Sequence, residues 1–215
     1  MANNNSDRRT ASVTLRNRVQ PDGLISDAPM RGTFTGNRGI LHTKDKHIGD
    51  ALWRHRAWIC CTLNWQGRRR NVMTGRKWTE LFFLDEATAM AAGHRPCAYC
   101  RRPAYTAFKN AWGKEIKAPE MDAILHKARA VAGARSLQRH KADISTLPPG
   151  TFILTDQFHL LTDDALLPYT VNGYAAPISR PNGQVTVLTS PPMIDVLRGG
   201  YIPNIHPSAQ IPLFP

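Results

Sequence analysis

Apolar and polar positions alternate through WRHRAWICCTLNWQ, residues 53–66. A period of two, carried on Trp, Ile and Cys, predicts a strand there. GRRRN at 67–71 is a basic turn, and 72–83 reads as a second, irregular strand ending in the apolar run LFFL. Asp85 then fits a helix N-cap, with Glu86 placed to favour the positive end of the helix. The helix EATAMAA is short and stops at Gly93, a suitable residue just past a helix end. Pro103 opens a further helix to about Glu115, on which Tyr105, Phe108 and Trp112 predict one apolar face. Pro119 opens another helix, ending at Gly133.

Composition shifts near residue 148. Beyond it, TFILTD, QFHLLTD, DALLPYTV and QVTVLTS read as strands, with turns at NGY and PNG. The PNG turn at 181–183 followed by QVTVLT predicts a hairpin. Pro191 and Pro192 lead into one or two helical turns. The pattern implies an α+β fold in four parts. Residues 1–30 are a polar arm carrying Arg8, Arg9, Arg16 and Arg18, and 31–117 are a small knuckle-bearing module. Residues 118–148 are a helical connection, and 149–215 are a small β-rich domain.

Charge narrows the partner. The chain has 215 residues and a formal charge of +12. A polyanion is the natural partner, nucleic acid before an anionic membrane surface. No apolar run nears the roughly 18 residues that cross a bilayer. The first residues lack the apolar core of a signal peptide, so a cytoplasmic setting is expected. There, the four cysteines point to metal or free thiols rather than disulfides.

Two of those cysteines form the knuckle Cys97-Ala98-Tyr99-Cys100. A tight turn of this kind supplies two thiolates whose charge backbone N–H groups can stabilise. Cys60 and Cys61 are adjacent, and neighbours on a strand face opposite ways. Either all four cysteines hold one ion in a distorted site, or three do so with a histidine. His42, His47, His55 and His94 are the nearby candidates.

The stretch ELFFLDEATAMAAGHRPCAYCRRPAY resembles the N-terminal zinc domain of the bacterial Ada DNA-repair family. The likeness rests on Phe82 and Phe83, the Ala-rich helix Glu86 to Gly93, and Arg95-Pro96-Cys97-x-x-Cys100. The upstream pair at Cys60 and Cys61 also fits, so the match spans about residues 50–105. It implies a four-thiolate Zn2+ site of Cys60, Cys61, Cys97 and Cys100. It also implies that an upstream thiolate takes a methyl group from a methylated DNA phosphate. The sequence departs from the family in having its upstream cysteines adjacent rather than spaced, and in a longer basic insert between the pairs.

Arg54, Arg56, Arg68, Arg69, Arg70, Arg76, Lys77, Arg95, Arg101 and Arg102 crowd the knuckle, and acids are few there. They are the expected contacts to a phosphate backbone. Trp53, Trp58, Trp65 and Trp78 lie among them as core or base-stacking residues. The leading expectation is a zinc-containing nucleic-acid-binding protein, DNA favoured, in repair or modification handling. An enzyme on DNA is the first rival: a methylphosphotriester acceptor, or a metal-dependent nuclease using His42, His47 and His55 with Asp45 and Asp50. A protein–protein adaptor is the second. Deamination is disfavoured because no H-x-E or C-x-E precedes Cys97. Asp156, Asp163 and Asp164 fit turns as well as a cation site.

Overall fold

Two sheets share one short, buried helix. The structure is a computed structural model that describes residues 14–68, 71–75, 77–133 and 135–210. The first sheet is built from β1 (Arg18–Val19), β2 (Ile25–Ser26), β3 (Phe34–Asn37), β4 (Ile59–Thr62), β5 (Leu81–Phe83) and β6 (Arg95–Pro96). Their spatial order is β2-β1-β5-β3-β4-β6. The central strands β5, β3 and β4 are antiparallel, while β1 joins β5 and β6 joins β4 in parallel.

Several expectations for this half need correction. The strand expected over 53–66 is only Ile59–Thr62, because its ladder partner β3 is four residues long and ends opposite Ile59. Likewise only Leu81–Phe83 of 72–83 is strand. The arm expected through residue 30 is ordered sheet from β1 onward. Val19, Ile25 and Met30 anchor it in the core. Arg16 and Arg18 spend their Nε donors on the Ile25 and Met30 carbonyls, at 3.0 and 2.8 Å. Arg8 and Arg9 lie outside the described residues. Gly36 is needed where β3 meets β4, since a Cβ there would stand 2.2 Å from the Ile59 carbonyl oxygen.

The helix α1 (Glu86–Ala91) is buried at all six positions. Its cap forms as the sequence predicts: Asp85 accepts from the Thr88 N–H at 2.8 Å. Alanines let the helix be approached closely from every side. Ala89 faces the core of the first sheet with Phe83 and Leu81. Ala87 and Ala91 face Phe152, Leu160 and Tyr169. Met90 meets Phe108, Met121 and Met193.

Those last contacts come from α2 (Arg102–Ala111), α3 (Ala118–Arg129) and α4 (Pro191–Arg198). Phe108 and Trp112 turn inward as expected, but Tyr105 does not; it lies outside that cluster, under the Arg95 guanidinium at 5.4 Å.

The second sheet contains β7 (His140–Asp143), β8 (Phe152–Leu154), β9 (Phe158–Leu161), β10 (Ala165–Thr170), β11 (Gly173–Tyr174), β12 (Ile178–Ser179) and β13 (Gln184–Val187). It runs β11-β10-β9-β8-β13-β7, with β12 beside β10. The PNG turn closes no hairpin: β12 pairs β10, while β13 pairs β7 and β8. The sheet thus begins before residue 149, and the clusters around α1 cross the boundaries expected at 117 and 149. The fold is α+β throughout. No helix among the described residues is long and apolar enough to cross a membrane.

Candidate metal centre

The parallel pairing of β4 with β6 sets Cys60 opposite Pro96, and the Cys97 N–H donates to the Cys60 carbonyl at 2.9 Å. The chain therefore leaves β6 alongside the end of β4 and turns at once into the knuckle. The Arg101 N–H closes that turn on the Cys97 carbonyl at 3.1 Å, and the Tyr99 N–H points at the Cys97 sulfur at 3.5 Å.

Strand alternation now separates the adjacent cysteines. Cys61 faces the knuckle, and the sulfurs of Cys61, Cys97 and Cys100 all lie within 4.8 Å of one another. Cys60 faces the other side, into the apolar core with Leu81 and Phe83. Its inclusion among the ligands is corrected on that ground. Burial pushes the Cys60 thiol up, marking it as neutral, while the Arg101 guanidinium 3.5 Å away opposes the shift.

The trio suits a thiophilic ion. Thiolates set tetrahedrally about zinc at about 2.3 Å stand about 3.8 Å apart, so closing this group needs a movement of about 1 Å or less. Hydrogen bonds from Cys100, then Cys61, hold the Cys97 thiol well below its ordinary range. Hydrogen bonding to Cys100 and Cys97 holds Cys61 above it. One sulfur thus carries negative charge readily, with the other two as its donors.

No histidine joins the group among the described residues. His42 is held by Thr79 Oγ1 at 2.6 Å and the Gly75 carbonyl at 3.2 Å. His47 is exposed, and His55 meets Asn37 Oδ1 at 3.1 Å. His94 is fully buried between the Trp58 and Phe83 rings. Neither these histidines with Asp45 and Asp50 nor the aspartates at 156, 163 and 164 form a ligand group among the described residues.

The arginines divide sharply. Arg54, Arg56, Arg68, Lys77 and Arg102 are exposed. Arg69, Arg70 and Arg76 lie outside the described residues. Arg95 and Arg101 are buried and engaged, which removes them from any phosphate-contacting set. Arg95 chelates Asp122 at 2.8 and 2.9 Å, and Arg101 chelates Glu86 at 2.7 Å through both nitrogens. The sequence hides these pairs because each acid is a helix away. It also hides why Trp58 is wholly buried: the Arg38 and Arg129 guanidinium carbons stand 4.4 and 3.9 Å from its ring centroid. Trp65 and the exposed Tyr99 stand together beside the knuckle, ring centroids 5.5 Å apart.

No family model, curated protein or solved structure matches this chain.

Proposed function

We propose that the chain is a zinc-containing nucleic-acid-binding protein, with DNA the favoured partner and repair or handling of modified DNA its setting. One observation carries the reading: three thiols from two separate chain segments converge where a single ion would bridge them. Cys61, Cys97 and Cys100 would hold the zinc. Bound there, it would tie β4 to the knuckle and keep its thiolates charged at neutral pH.

Support for the partner comes from charge. The formal charge of +12 requires polyanions or abundant counterions, and Arg54, Arg56, Arg68, Lys77 and Arg102 stand free on the surface. The likeness of the knuckle to the Ada zinc domain supports DNA over RNA. The test joins metal analysis with gel shifts of single-stranded and duplex DNA over a range of salt. About one zinc per chain with salt-sensitive shifts and intact DNA supports the reading. A metal-free, fully folded chain, or one that shifts no nucleic acid at low salt, sinks it.

A second reading draws on the count of ligands. Three thiols and no histidine or carboxylate leave one side of the group without a protein ligand among the described residues. A sulfur here would then act as a methyl acceptor from a methylated DNA phosphate. An S–CH3 bond would form as the O–CH3 bond breaks, leaving a phosphodiester anion. Cys61 is the candidate, since Cys60 is shut in the core. Mass spectrometry after incubation with methylated DNA would locate one added methyl group on Cys61, or exclude the reaction.

A further inference from the structure

A cationic groove lies directly after the knuckle. It runs between α2 and the start of α3 and has a volume of about 810 Å3. Arg102, Lys109, Lys114 and Lys117 line it against one carboxylate, Glu115. Glu115 is 98% exposed and meets Lys109 only at 3.9 Å, so it offsets little of the charge.

The charge is organised by the helix. Arg102, Tyr105, Thr106, Lys109 and Asn110 fall at i, i+3, i+4, i+7 and i+8, which makes them one continuous stripe of α2. The opposite face, with Phe108 and Trp112, is spent on the core. The stripe therefore cannot turn inward, and it is mounted on a rigid element. The N-terminus of α3 reaches the same groove at Lys117 and Ala118, where Glu120 Oε2 accepts from the Lys117 N–H at 3.3 Å. Four cations thus converge on one trough.

We infer that this groove holds the phosphate backbone of a nucleic-acid strand. The inference rests on the nucleic-acid reading above and gives it a location. Arg102 and Lys109 are seven residues apart, about 10 Å along the helix. That matches roughly three base-pair steps along a duplex axis at about 3.4 Å each. A lipid surface fits less well, because none of the large exposed apolar side chains (Leu63, Ile124, Ile202 and Ile205 among them) lines the groove. Backbone contact of this kind positions a strand without reading its sequence. The stripe also begins two residues past Cys100, so the metal centre sets where it starts.

The test is fluorescence anisotropy of the full chain with labelled duplex and single-stranded DNA over a range of salt. Three proteins are compared: the unaltered chain, Arg102→Gln/Lys109→Gln/Lys114→Gln/Lys117→Gln, and the loop variant Arg54→Gln/Arg56→Gln/Arg68→Gln/Lys77→Gln. With four contacts removed, the groove variant should lower the slope of log affinity against log salt by about 3.6 for duplex and about 2.8 for single-stranded DNA, and the loop variant by clearly less. Far-UV spectra and melting curves check that both stay folded. Should the quadruple groove variant unfold, Arg102→Gln and Lys114→Gln alone should each lower the slope by about one. A groove variant with full slope, beside a loop variant that loses it, overturns the location and leaves the nucleic-acid reading standing. An unaltered chain that binds no nucleic acid, or binds only phosphatidylserine vesicles, overturns both.

Discussion

Arg101 chelates Glu86 through two 2.7 Å hydrogen bonds, and its Nη1 also reaches the Cys60 sulfur at 3.5 Å. One side chain therefore joins the residue after the knuckle to the first turn of α1 and to the buried face of β4. Glu86 accepts in addition from the Tyr201 hydroxyl at 2.5 Å and the Asn204 N–H at 3.0 Å. The carboxylate fastens the C-terminal segment to the knuckle across the shared helix.

Glu86→Gln should therefore be among the most damaging single changes. It leaves Arg101 buried without its counter-charge, a loss of about 3–5 kcal/mol. Tyr201→Phe removes one partner and keeps the pair, so about 1–3 kcal/mol is expected. Arg101→Lys should not rescue, since an ammonium cannot span both carboxylate oxygens at once. Urea denaturation of the three variants orders them. A Glu86→Gln protein as stable as the parent would mean that the pair contributes nothing net.

The cysteines should separate by metal content. Cys61→Ser and Cys97→Ser each remove a converging thiolate and should lower bound zinc to well under one per chain. Cys60→Ala should leave zinc content unchanged and cost only core packing, since its sulfur lies with Leu81 and Phe83. Elemental analysis after dialysis reads zinc directly, and cobalt substitution reads thiolate number from the charge-transfer band. Zinc loss in Cys60→Ala with retention in Cys61→Ser would reverse the strand's facing.

The sequence shows that a regular strand lets only one of the two adjacent cysteines face the knuckle, but not which one. The helix α1, with its Asp85 cap and Gly93 stop, follows from local chemistry. What local chemistry does not carry is the choice of partner. Arg95 and Arg101 read as surface charge because Asp122 and Glu86 lie 27 and 15 residues away. Tyr105 matched the apolar spacing of Phe108, yet the groove side of α2 took it. PNG is a good hairpin turn, but the strand after it found a longer ladder on β7. The cationic stripe of α2 was overlooked because Lys109, Lys114 and Lys117 are dispersed in sequence and become neighbours only across a helix and a turn.

Gly93 carries a demand that no other residue meets. Its φ is +86°, and an added Cβ would stand 2.4 Å from Arg129 Cδ and 3.4 Å from the Trp58 ring. Gly93→Ala strains the backbone by about 1–2 kcal/mol and also displaces Arg129 from Trp58. A lowered urea midpoint and a changed tryptophan emission should appear together. A stability loss with unaltered emission would place the strain elsewhere than at the ring.

The last prediction concerns acid. His94 is fully buried, and Arg38 Nε donates to its Nε2 at 3.2 Å, so the ring proton belongs on Nδ1. Burial, then the Arg38 and Arg129 charges, hold its pKa well below the ordinary 6.5. In the unfolded chain the same ring titrates normally. Below pH 6.5 the unfolded state thus binds a proton that the folded state refuses. The contribution of His94 to stability is full above that pH and falls beneath it by about 1.4 kcal/mol per pH unit. His55, His126 and His140 are lowered by burial as well and act in the same direction. Protonation of the thiolates, with release of any bound metal, adds to the acid loss in every variant that keeps the three cysteines. His94→Gln isolates the ring: its amide oxygen can accept from Arg38, and it does not titrate. Urea unfolding from pH 7 to about 5 should show a slope shallower than the parent's by about 1.4 kcal/mol per unit. Parallel slopes would assign the acid sensitivity to the thiolates and the remaining histidines.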